Sequence, residues 1–219
     1  MCSLKGRNDS VTKTDRRIIR TKNEIKQAFF SLLSEKNFEA ITVRNITERA
    51  NINRGTFYLH YVDKYNLLEQ YENEIFEKFN AILDETTILV IDINQFKQER
   101  LPVMTQILHV FYEEADSLKL ILGPNGDPFY YEKMRQFFVR YFNAYLGNLT
   151  DKSKWKFPIE LTLAYNSNAI LGVITYWLQH DIQQSPEEVA TMLIETILKG
   201  TLEASGMRSI IEKESELGR

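Results

Sequence analysis

The chain has 219 residues, 43% apolar and 26% charged, with nine glycines, five prolines and a formal net charge of -3, the composition of an ordinary globular chain long enough for one or two domains. Its single cysteine, Cys2, excludes an intrachain disulfide and points to a reducing cytoplasm, and the longest apolar run, Ala169 to Leu178, falls short of the roughly eighteen residues that span a bilayer. Charge is unevenly placed: residues 1–64 hold 13 Lys and Arg against 7 Asp and Glu, and the remainder holds 14 against 23, so a basic, nucleic-acid-seeking head precedes an acidic body.

Residues 1–14 carry Lys5, Arg7 and Lys13 among small polar residues without apolar periodicity, and are expected to form a flexible basic arm. A helix follows. Ile25, Ala28, Phe29, Leu32 and Leu33 repeat at i, i+3, i+4, i+7 and i+8, and the stripe ends near Lys36-Asn37. Its start is open: Thr21-Lys-Asn-Glu24 fits a capping box, yet Thr14 or Asp15 could begin it earlier and bring Arg16, Arg17 and Arg20 onto it.

Residues 42–64 then read as two short capped helices joined by a tight turn. Thr42 caps the first, whose Val43, Ile46 and Ala50 share one face; Ala50-Asn51-Ile52 supplies the bend. Asn53 caps the second, with Phe57 and Tyr61 inward at i, i+4 and Arg54, Thr56, Tyr58 and His60 outward. Gly55 inside a helix costs roughly 1 kcal/mol relative to Ala, which suits a helix pressed closely against DNA. The pattern is a helix-turn-helix.

Asp63 opens a long linking helix through Leu67, Leu68, Tyr71, Ile75, Phe76, Phe79, Ile82 and Leu83, expected over residues 63–89. Pro102 breaks the next segment, after which Val103, Ile107, Leu108, Phe111 and Tyr112 form a helix, with a short helical piece from Asp116 to Leu122. Gly123-Pro-Asn-Gly-Asp-Pro128 is a loop of turn-formers. Helices from about Phe129 to Leu149, Pro158 to Asp181 and Ser185 to Ala204 complete the chain, before a charged tail at 207–219. The 158–181 helix is apolar on nearly every side, and a second subunit would bury the excess, with Ile170, Ile174, Trp177, Leu193 and Ile197 as the expected interface.

Ile41-Thr-Val-Arg-Asn-Ile, Ala50-Asn-Ile-Asn-Arg-Gly-Thr-Phe-Tyr-Leu-His-Tyr and Asp63-Lys64-Tyr-Asn-Leu-Leu68 together resemble the N-terminal signature of TetR-family transcriptional regulators. Gly172-x-x-x-x-Trp177-Leu followed by Ser-Pro-Glu-Glu resembles the C-terminal region of one TetR subgroup. The resemblance implies an all-α fold of about nine helices, with a three-helix DNA-binding head at 15–64 on a larger effector-binding and dimerisation body at 65–206. It implies that the segment Arg54 to Tyr61 enters the major groove, with Arg54 reading a guanine and Gly55 and Thr56 at the base edges. Tyr58, His60, Lys64, Thr42 and Arg44 would meet phosphates, Asn53 would cap the recognition helix beside them, and Arg16, Arg17 and Arg20 would reach the backbone or the minor groove.

The resemblance further implies a homodimer on a roughly palindromic operator, in a cytoplasmic, nucleoid-associated bacterial regulator that is more readily a repressor than an activator. Such bodies commonly hold a small effector; His109, Tyr112, Phe138, Tyr141, Tyr165 and Asn168 are the candidate lining, each of which also fits an ordinary core. The alternatives are control by a protein partner, or a DNA-binding scaffold with no effector. An enzyme is disfavoured, because His60, His109 and His180 are scattered, no Gly-rich phosphate loop is present, and no metal or cofactor set is recognisable.

Overall fold

A computed structural model describes residues 13–84, 93–146, 156–180 and 183–208. Most of the expected basic arm, the end of the linking helix beyond Asp84, residues 147–149 and the tail beyond Arg208 lie outside them. The described residues form ten α-helices and one 3₁₀ turn, and no strand. Two compact units divide after Gln70.

The first unit holds α1 (Lys13–Glu35), the 3₁₀ turn Phe38–Ala40, α2 (Val43–Arg49), α3 (Arg54–Tyr58) and the first turns of α4 (Lys64–Asp84). α1 begins at the earlier of the two candidate starts, so Arg16, Arg17 and Arg20 are all helical and exposed. Its stripe of Ile25, Ala28, Phe29, Leu32 and Leu33 is buried together with Phe38, Ile41, Ile46, Phe57, Tyr61, Leu67 and Leu68. Phe38 stands edge-on to Phe29 and to Tyr65, which seats the 3₁₀ turn between α1 and α4.

The second unit holds the rest of α4, α5 (Ile93–Glu113), α6 (Ala115–Ile121), α7 (Pro128–Leu146), α8 (Ile159–Gln179), α9 (Pro186–Lys199) and α10 (Thr201–Ala204). α5 packs on α9, α7 on α8, and α6 on α8. Phe76, Phe79, Phe111, Tyr130 and Phe137 form a contiguous aromatic centre, with the Phe79 ring 5.2 Å from Phe111 and 5.0 Å from Phe137.

Two sequence expectations are corrected here. Pro102 does not break α5, which runs through it. Pro102 and Gln98, the residue whose carbonyl loses a donor, both lie on the exposed side, where water can take over. Phe96, Val103, Met104, Ile107 and Leu108 are buried on either side of the proline, and that burial outweighs the roughly 3 kcal/mol a helical proline costs. The last expected helix is instead two: Gly200, at φ 80 and ψ 161, ends α9 in a conformation that side chains disfavour, and α10 starts beyond it.

The loop expected at 123–128 is present up to Asp127, and Pro128 is the first residue of α7. Gly126 is required there, because a Cβ would lie 1.8 Å from the Ile121 carbonyl oxygen. No described helix is long and apolar enough to cross a membrane.

Candidate nucleic-acid interface

The helix-turn-helix is built from local hydrogen bonds. Thr42 Oγ1 accepts from the Asn45 N–H at 3.2 Å, and the Asn45 side chain accepts from the Thr42 N–H, closing a capping box. Asn51 adopts φ 53, the left-handed conformation that asparagine tolerates, and so reverses the chain between the helices. Asn53 Oδ1 accepts from the Thr56 N–H at 2.7 Å and from the Thr56 hydroxyl at 3.0 Å. α3 proper ends at Tyr58, shorter than expected, but its path continues: the Tyr61 N–H still donates to the Phe57 carbonyl at 3.0 Å.

Gly55 has a structural cause beside the proposed approach to DNA. A Cβ there would lie 3.2 Å from Asn53 Oδ1, crowding the cap oxygen. The glycine therefore leaves the cap oxygen uncrowded and the outer surface bare.

The positive side chains sort into three groups by what holds them. Arg54, Arg16 and Arg17 are exposed and have no ion-pair partner among the described residues. Arg44 pairs with Glu48 at 2.7 Å and Arg20 with Glu24 at 2.9 Å, both on exposed helix faces. Such pairs contribute about 0–1 kcal/mol, so a phosphate can displace either carboxylate at little cost. Arg49 is tied more firmly, donating to both oxygens of Glu35 at 2.8 Å, and that hydrogen-bonded guanidinium holds the Glu35 carboxyl below its ordinary range.

Lys64 is the clear departure from expectation. Only 8% exposed, it donates from Nζ to the carbonyls of Phe38 and Glu39, each at 2.9 Å, and lies 4.7 Å and 5.0 Å from the ring centres of Phe38 and Tyr65. Here Lys64 makes an internal tie: the ammonium satisfies carbonyls at the 3₁₀ turn and lies over two aromatic faces. Tyr58 is exposed, Thr56 and His60 are half-buried, and Thr42 is exposed with its hydroxyl oxygen engaged in the cap. Sequence reading passed over Leu59, 81% exposed, because a lone leucine carries no polar signal.

The body candidates do not converge. Phe138 and Tyr141 are buried, whereas Tyr112 and Tyr165 are exposed and the exposed Asn168 donates to the Ala164 carbonyl of its own helix. His109 faces Glu187 at 2.7 Å between α5 and α9, and Tyr112 stacks on Trp177. Side chains expected to line one effector cavity are thus divided between core and surface.

Most of the expected interface residues face inward within this chain. Ile170, Ile174, Trp177 and Leu193 are buried within the single chain and Ile197 is half-buried, because the i, i+4, i+7 stripe of α8 that contains the first three faces its own core. The outward side of α8 is instead Leu161, Tyr165, Asn168, Ala169, Gly172 and Tyr176. A Cβ at Gly172 would meet no described atom within 4 Å, so nothing among the described residues calls for a glycine there.

A family model described as bacterial regulatory proteins, tetR family, matches residues 27–71, which contain the helix-turn-helix, and one described as a transcriptional regulator C-terminal region matches residues 98–199. YxbF of Bacillus subtilis, an HTH-type transcriptional regulator, is 28% identical over 194 residues, covering 88% of this chain and 48% of that protein. The chain thus spans about half the length of the curated relative it matches. A TetR transcriptional regulator from Streptococcus agalactiae superposes with a TM-score of 0.58 at 24% identity, over 84% of this chain and 97% of that one. The fatty acid degradation regulator FadR from Bacillus halodurans does so at 0.55 and 17% identity, over 82% and 95%. These two likenesses establish the all-helical fold.

Proposed function

We propose that this chain, which belongs to the tetR family of bacterial regulatory proteins, is a DNA-binding transcriptional regulator that acts as a cytoplasmic repressor, binding a roughly palindromic operator as a homodimer. One observation carries the reading of the site: the Arg54 guanidinium, at the start of a capped α3, is exposed and unclaimed by any described carboxylate. Its planar fork can donate two hydrogen bonds to O6 and N7 of a guanine. Arg16 and Arg17, equally unclaimed, supply sequence-independent attraction to phosphate, with Arg44 and Arg20 recruited from weak pairs.

The outward face of α8 supports the dimer. A second body seated on Leu161, Tyr165 and Tyr176 removes exposed apolar surface, and Gly172 lets the two backbones come close. Two heads then meet one face of the duplex, with half-sites spaced by about one helical turn, roughly 10 bp or somewhat more.

Footprinting on a selected site tests this. Arg54→Ala is expected to weaken operator binding by about 1–3 kcal/mol and to relax base preference at one position in each half-site. A protected site without inverted symmetry, or an Arg54→Ala protein with unchanged preference, overturns it. The division of the candidate pocket residues between core and surface favours control by a protein partner, or no effector, over a small ligand held by those six side chains. A metabolite that releases the protein from its operator would restore the small-molecule reading.

A further inference from the structure

Phe57 and Tyr61 form the buried side of the recognition segment, and Leu59 lies midway between them. A helix turns about 100° per residue, which places Leu59 roughly 200° from each, on the crest opposite the core. α3 itself ends at Tyr58, and helix-type hydrogen bonds carry its turn on through Tyr61. Leu59 has φ -69 and ψ -20, its N–H donates to the Gly55 carbonyl at 3.1 Å, and the Tyr61 N–H donates to the Phe57 carbonyl. Gly55, one turn earlier, occupies the same crest.

The outermost ridge of the segment is therefore a residue without a side chain followed by a leucine that is 81% exposed. A single exposed leucine is unremarkable on a surface; this one stands on the line that reaches deepest when the helix enters a groove. Arg54 and Tyr58 flank the crest on one side and Thr56 on the other, so contact by these polar groups brings Leu59 to the groove floor. The apolar group displayed there is the C5-methyl of thymine. A leucine can pack against that methyl, whereas against the exposed amino group of cytosine or adenine it would remove a donor from water without replacing its partner.

We infer that Leu59 is a specificity-determining residue that packs against a thymine methyl in each operator half-site. The inference rests on the major-groove reading proposed above. The full chain is first used to select an operator from a randomised duplex library, and each thymine of that operator is then replaced by deoxyuridine, which deletes only the methyl. One thymine per half-site is expected to respond, with binding weakened about fourfold for each methyl lost, the effect of exposing one such group. In Leu59→Ala the same replacement changes nothing, while replacements elsewhere affect both proteins equally.

An operator whose thymine methyls are all dispensable, or a Leu59→Ala protein as sensitive to the same methyl as the unaltered chain, overturns the assignment and leaves the major-groove reading standing. Failure to select any sequence overturns both. The deoxyuridine series on the unaltered protein requires no variant to fold.

Discussion

Thr42, Asn53 and Asp63 in the head and Ser185 in the body each place a side-chain oxygen on a backbone N–H three residues ahead. Both regions bury polar groups, Lys64 in the head and Glu72, Arg100 and Ser167 in the body; the two differ in what they leave outside. The head's polar side chains complete its own helix ends and leave free arginines outside. The body's outward face on α8 carries Leu161, Tyr165 and Tyr176 instead. A surface of the first kind suits a hydrated polyanion; one of the second kind suits another apolar surface. The two regions therefore differ in what each needs from a partner.

The strongest way to break this contrast is to charge the body's outward face. Tyr165→Glu is expected to weaken dimerisation by ~4 kcal/mol, roughly a thousandfold, through burial of an unpaired carboxylate, with a matching loss of operator affinity. Sedimentation at graded concentrations measures it. Ile174→Ala, on the inward side of the same helix, should instead lower the unfolding free energy by about 2–5 kcal/mol in denaturant titrations and leave the dimer constant unchanged. If both substitutions act alike, the distinction between the two sides of α8 is wrong.

In the head, Lys64→Ala is expected to cost about 2–4 kcal/mol of stability, because two carbonyls lose a charged donor. The slope of operator affinity against salt should stay unaltered once folded protein is compared. A slope reduced by about one per subunit would return Lys64 to the phosphate backbone. Asn53→Ala should destabilise by about 1 kcal/mol, the value of one N-cap, and lower affinity by loosening the helix that presents Arg54.

The smallest effect concerns acid. Glu195 on α9 is hydrogen-bonded by Lys199 and by Lys97 of α5, and these hold its carboxyl at about 2, below the ordinary 4.5. A depressed carboxyl contributes stability that is present above its unfolded value and lost as pH falls through its folded one. Melting curves between pH 5 and pH 2, a window spanning those two values, should therefore fall less steeply for Glu195→Gln than for the unaltered chain.

Local patterns were legible where their causes are local. The caps at Thr42, Asn53 and Ser185 rest on bonds to N–H groups three residues on, and the Phe57–Tyr61 pair rests on one helical turn, so residue order alone announces them. Pro102 misled because its cost is local while the burial that overrides it comes from α9 and α8. The candidate pocket residues stayed open between pocket and core for the same reason: helical spacing shows that aromatics share a side of a helix, without showing which side meets the core.

Sequence by itself determined the helical class, the position of the helix-turn-helix and the outward placement of Arg54, since each follows from interactions spanning four residues or fewer. Only the tertiary structure decided that Lys64 turns inward, that Ile170, Ile174 and Trp177 belong to the core of their own chain, and that Leu161, Tyr165 and Tyr176 remain outside. Those outcomes depend on carbonyls and apolar surfaces brought from distant positions, Lys64 meeting Phe38 across 26 residues. A lysine that can bond a phosphate can equally bond a backbone oxygen, and an apolar helix can bury either side. What distinguishes the alternatives is which neighbour arrives when the chain packs.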